Sequence, residues 1–113
     1  MESRSTEWEG YQVSFTTVKK EQSNPSPLFK GLPDNMCQTP HWGYVFKGKM
    51  VVRYKDREET INAGEAYYME PGHVPAYVAE GTEWLEFSPK EEMDKTMAVI
   101  LENFKKMATE KPK

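Results

Sequence analysis

The residues best equipped for chemistry in this chain are Cys37, His41 and His73, its one cysteine and two histidines. A thiolate and two imidazoles make a donor set for Zn²⁺ or another first-row transition ion. Cys37 and His41 stand four apart, a separation that keeps both side chains on one face of an extended segment. His73 follows directly on a Pro71-Gly72 turn. Plainer readings stand beside this one. A lone buried cysteine is more often a small hydrophobe than a ligand, and a histidine next to a turn often bonds only backbone or water. Either histidine could also act as general acid or base, since its ordinary pKa lies near neutrality. Cys37 with His41 as nucleophile and base would need a lowered thiol pKa and an oxyanion hole, and the sequence displays neither. The chain contains no GxSxG, P-loop, dinucleotide GxGxxG or HExxH motif.

The elements that must position these groups are written most clearly between His41 and Gly72. His41–Phe46 is aromatic or β-branched at nearly every position, Lys47-Gly48 is a two-residue turn, and Lys49–Tyr54 returns. The charged tip Lys55–Glu58 leads into the third run, which begins at Glu59–Asn62, breaks at Ala63-Gly64-Glu65 and resumes over Ala66–Met69 before the Glu70-Pro71-Gly72 turn. This predicts a β-meander of three consecutive antiparallel strands. Tyr11, Val13 and Phe15 alternate at period two, predicting a half-buried strand over Tyr11–Val18. Val74–Val78 and Thr82–Phe87 supply two more strands. Residues 1–10 are polar and predicted to be flexible, with Trp8 as an anchor.

Lys19–Pro40 lacks periodicity and carries Pro25, Pro27, Pro33 and Pro40. Leu28, Phe29 and Leu32 give it apolar handles, so it is expected to lie over a binding mouth, an ordinary surface loop being the plainer alternative. Ser88-Pro89-Lys90-Glu91 predicts a helix over 89–107, with Ser88 as N-cap, Pro89 at N1 and Glu91 completing a capping box. Met93, Met97, Ile100, Leu101, Phe104 and Met107 would form its apolar face. Residues 109–113 read as a frayed tail.

A chain of 113 residues suits one domain. The net charge of −3, with no basic stripe, argues against nucleic acid as a partner. No apolar run approaches membrane-spanning length, the N-terminus lacks a signal-peptide core, and a single cysteine cannot form an internal disulfide. A cytoplasmic protein is therefore expected.

The spacing of residues also resembles the two sequence motifs of the cupin superfamily, small jelly-roll β-barrels. The first motif ends in an acidic residue, six residues and a turn glycine. His41, six residues and Gly48 occupy that spacing, with His41 where the family usually has glutamate. Gly64, Glu70-Pro71-Gly72, His73 and Pro75 lie over the second motif, with the proline displaced by one and the histidine by two. The family's first two ligand positions fall on Asn35 and Cys37. The resemblance covers roughly residues 36–87. It implies an all-β fold with a C-terminal helix, an antiparallel jelly-roll β-barrel spanning 11–108, with a degenerate metal motif.

In such a barrel half of each strand faces the interior. The expected function is binding of a small molecule there, with one divalent metal as an option on Cys37, His41 and His73. Arg53, Tyr44, Tyr67 and His73 are the candidate ligand contacts: Arg53 could pair with an anion, and the tyrosines offer flat surface with polar tips. Glu70, Glu83 and Glu86 read as solvated or pairing charges. A homodimer is expected, because small cupin-like proteins commonly pair through sheet edges. The alternative is a structural or sensing module that acts through its dimer or partner interface, its aromatics being core.

Overall fold

Apolar and polar residues alternate along most of the strand-forming runs, so most strands can bury one face, and in the computed structural model the described residues, 2–23 and 26–109, form nine strands and one helix. The strands are β1 (Glu2–Trp8), β2 (Tyr11–Thr17), β3 (Gln22–Ser23), β4 (His41–Lys47), β5 (Lys49–Arg53), β6 (Glu58–Asn62), β7 (Ala66–Met69), β8 (Val74–Val78) and β9 (Glu83–Pro89), followed by α1 (Lys90–Thr109). Short 3-10 turns occupy Ser26–Phe29 and Pro33–Asn35.

Two antiparallel sheets result, ordered β1-β2-β9-β4-β7 and β3-β8-β5-β6. This is the jelly-roll class, with two departures from expectation. The ladders end at β1 and β7 in one sheet and at β3 and β6 in the other, so the sheets do not close into a barrel. Facing sheets lie about 10 Å apart, twice the spacing a strand ladder can bridge. Nor is residues 41–69 a meander. β4 and β5 belong to different sheets, and only β5 and β6 form a hairpin of paired neighbours. The chain changes sheets at Gly48, whose φ of +83° and tight approach to Thr82 leave no room for a side chain. The Thr82 hydroxyl accepts from the Lys49 amide and donates to the Ala79 carbonyl, satisfying this corner.

Residues 2–8, expected to be loose, form the full-length edge strand β1 paired along β2. Every residue of β1 is exposed. An edge strand held by its ladder does not need apolar side chains, which is why its sequence gave no signal. Trp8 does anchor it, its ring centroid 6.1 Å from that of Phe87.

Between the sheets, Val18, Val45, Met50, Val52, Ile61, Met69 and Val78 form the main core. A second cluster joins Phe29, Cys37 and Val74, with Leu28, Leu32, Met36 and Ile100 against it. Helix α1 starts one residue later than predicted, Pro89 being the last residue of β9. Its inward stripe is Met93, Thr96, Met97 and Ile100. Leu101 and Phe104, expected on that face, are exposed. The Asn103 amide donates to the Leu28 and Lys30 carbonyls, clipping the helix to the segment before β4. The predicted tail from residue 110 onward and the Met107 side chain lie outside the described residues.

Candidate metal centre and apolar cavity

Cys37 and His73 are brought together by backbone. They form an isolated antiparallel bridge: the Cys37 amide donates to the His73 carbonyl at 2.7 Å, and the Gly72 amide donates to the Cys37 carbonyl at 2.8 Å. Gly72 has a φ of +92°, the turn conformation that lets the chain double back here. His41, the first residue of β4, points inward from the other sheet. The ligand atoms of Cys37, His41 and His73 all lie within 4.8 Å of one another, and all three residues are buried.

Each imidazole is held at Nδ1. In His41 this atom lies 2.7 Å from the Ser88 hydroxyl and 3.4 Å from Glu86 Oε2. In His73 it donates to the Glu70 carbonyl at 2.8 Å. With the protons assigned to Nδ1, both Nε2 lone pairs remain available. The His41 Nε2 is 3.7 Å from Cys37 Sγ. Burial pushes both imidazoles down to about 4, so they are neutral at pH 7, the form that binds metals. Burial pushes the Cys37 thiol up. A raised thiol beside a neutral imidazole is the reverse of what a cysteine–histidine nucleophile pair requires.

Glu86, which the sequence presents as a solvated or pairing charge, belongs to this cluster. It accepts a 2.6 Å hydrogen bond from the Tyr67 hydroxyl. Burial raises its carboxyl pKa, and the Tyr67 bond pulls the other way. The contact depends on Gly43, which stands opposite Tyr67 on one side and Glu86 on the other. With no side chain between them, the Tyr67 ring crosses β4 to reach β9. Ser88 was missed for a different reason. It was read as a helix cap, whereas its hydroxyl bonds His41. Period two along β9 would have put Trp84, Glu86 and Ser88 on one face together.

The remaining expected ligand contacts fall elsewhere. Arg53 bonds Glu58 at 3.2 Å on the surface. Tyr44 stands on the outer face of the larger sheet, its ring 5.0 Å from that of Phe46. Tyr67 spends its hydroxyl on Glu86. The cluster opens instead into an apolar cavity of about 280 Å³ between the sheets and α1. Leu28 and Phe29 of the 19–40 segment line it, together with Met93, Met97 and Ile100 of the helix. Thr39 ties the approach to β4 onto α1, 2.7 Å from the Thr96 hydroxyl and 3.1 Å from the Glu92 carbonyl.

No protein-family model matches the sequence, and no curated protein does. Solved structures do match the fold. A putative mannose-6-phosphate isomerase from Ralstonia eutropha JMP134 aligns with a TM-score of 0.55 at 15% identity, over 78% of this chain and 84% of that one. A protein from Neisseria meningitidis gives 0.55 at 12% identity, over 78% and 82%. A cupin superfamily protein from Desulfitobacterium hafniense DCB-2 gives 0.53 at 11% identity, over 77% and 74%. This chain has a cupin fold. At such identities the likeness establishes architecture alone, since one fold hosts many chemistries. Cys37, His41 and His73 converge because the start of β4 in one sheet and the turn entering β8 in the other meet at one end of the interior. Among the described residues, no helix is long and apolar enough to cross a membrane.

Proposed function

We propose that this cupin-fold protein binds a small molecule in its interior, beside a divalent transition ion held by Cys37 Sγ and the Nε2 atoms of His41 and His73. The observation that carries the reading is the pinning of both histidines at Nδ1. A carboxylate or carbonyl partner behind each ring is how metal-binding histidines are oriented. The donor set fits Zn²⁺, with one coordination position left for water or ligand. When bound, such an ion supplies Lewis acidity and a lowered pKa for its water. The chain's own groups hold the rings through Ser88, Glu86 and the Glu70 carbonyl, and exclude water with the apolar wall.

Metal analysis of protein purified without an affinity tag tests this. We expect about one equivalent of transition metal, lost in both Cys37→Ala and His41→Ala, and a melting temperature that chelation lowers. Protein that carries no metal, and whose melting temperature is indifferent to added Zn²⁺, would end the metal reading. The cytoplasm remains our proposed location, consistent with a lone reduced thiol.

A second reading, a module that works through an interface, is favoured by the outer face of the larger sheet. Trp8, Tyr11, Phe15, Trp42, Tyr44 and Tyr68 share this face and are 38–57% exposed. At about 200 Å² per aromatic side chain this amounts to roughly 500 Å² of apolar surface. That is a large part of the roughly 800 Å² per partner that a stable complex buries. We take its occupant to be a second copy of this chain, paired face to face rather than edge to edge. The two readings are compatible, since the site and the patch lie on opposite faces of one sheet.

A further inference from the structure

The geometry points to the ligand's chemical class: an amphiphile with a slender apolar body and one terminal polar group. This rests on the reading that the interior binds a small molecule, and it does not depend on the metal.

Three observations carry it. First, the polar groups of the cavity gather at one place, apart from Gln22 on β3, which lines the wall beside Val78. Cys37, His41, His73 and Glu86 adjoin one another, and Thr96 bonds Thr39 beside them. The greater part of the remaining wall is Met, Val, Leu, Ile, Phe and Trp. Second, no lysine or arginine lines the cavity among the described residues. A phosphate or sugar acid would lose its hydration and meet no cationic side chain there, and in the metal-free protein only the Glu86 carboxyl. The substrate named for the Ralstonia eutropha structure, a sugar phosphate, therefore does not suit this interior. Third, Met50, Met69, Met93 and Met97 all contribute to the wall. Unbranched thioethers re-pack around flexible apolar chains more readily than branched side chains do.

One polar end and an apolar remainder are complementary to a molecule divided in the same way. The head would sit against the histidines. The body would lie between Val52 and Val78 on the smaller sheet and Met97 and Ile100 on the helix, within about 280 Å³.

Calorimetry with straight-chain primary alcohols from butanol to decanol tests this on the full-length protein, both as isolated and after chelation. Each added methylene should tighten binding about fourfold until the cavity is full, after which affinity should stop rising. After chelation, glucose 6-phosphate should give no binding. Met97→Ala should move the limiting chain length upward, and Met97→Trp should move it downward. These are shifts that a folding defect alone would not produce. A flat series, a limit indifferent to Met97, or saturable binding of the sugar phosphate overturns the proposal. If the methylene increment survives in protein that never holds metal, the metal reading falls and the ligand class stands. If metal binds with no increment, only the ligand class falls.

Discussion

The ring Nδ1 of His41 and the hydroxyl of Ser88 lie 2.7 Å apart, joining β4 to the end of β9. A serine placed as if to cap a helix instead fixes the orientation of a histidine 47 residues earlier in the chain. Removing an outer partner of this kind loosens a metal-binding ring without deleting it. Ser88→Ala should weaken Zn²⁺ affinity about 10- to 100-fold. Chelator competition measures this, and unchanged affinity would show that Glu86 alone suffices to hold the ring.

Gly43 stands between Tyr67 and Glu86, and any Cβ there would run into the Tyr67 ring and the Leu85 carbonyl. Gly43→Ala should therefore destabilise the fold by about 2 kcal/mol or more. Tyr67→Phe leaves the ring in place but removes the donor to a buried carboxyl, at about 1–3 kcal/mol. Urea unfolding resolves both. A neutral Gly43→Ala would mean that the Tyr67 ring does not cross β4 as described.

Both buried imidazoles titrate near 4 rather than the ordinary 6.5. Between those values the unfolded chain takes up protons that the native state refuses. Stability from this source is full above about pH 6.5 and is lost as pH falls toward 4. Glu86 has the opposite sign. Its raised carboxyl favours the native state at low pH, a contribution lost as pH rises from the ordinary 4.5 through its folded value. At about 1.4 kcal/mol per pKa unit for each imidazole, metal-free Glu86→Gln protein, in which only the histidines carry this effect, should melt about 10 °C or more lower at pH 4.5 than at pH 7, and the Glu86 carboxyl should make that fall shallower in the unsubstituted protein. A melting temperature of the variant constant across this range would contradict the neutral, buried histidines.

Trp42 and Tyr68 stack on the outer face of the larger sheet with ring centroids 5.3 Å apart. If a second copy covers them, Trp42→Arg with Tyr68→Arg should convert a dimer to a monomer in sedimentation analysis and leave the circular dichroism unchanged. A wild-type protein that sediments as a monomer at all concentrations would remove the interface.

Local sequence determined much of the strand and turn placement. The β-rich runs His41–Phe46 and Lys49–Tyr54 and the glycines at 48, 64 and 72 place strands and turns, because turn conformation and strand propensity are properties of neighbouring residues. Their spacing was also enough to indicate a jelly roll and to nominate Cys37, His41 and His73. Only the tertiary structure decided which way the strands face. In β9 both alternating sets hold apolar residues, Trp84 on one face and Leu85 and Phe87 on the other, so hydrophobicity could not distinguish interior from exterior. That choice moved Glu86 and Ser88 into the site and Tyr44 out of it. The bridge joining Cys37 to His73, 36 positions apart, is likewise non-local. It follows from how two sheets meet, which no local run of residues encodes.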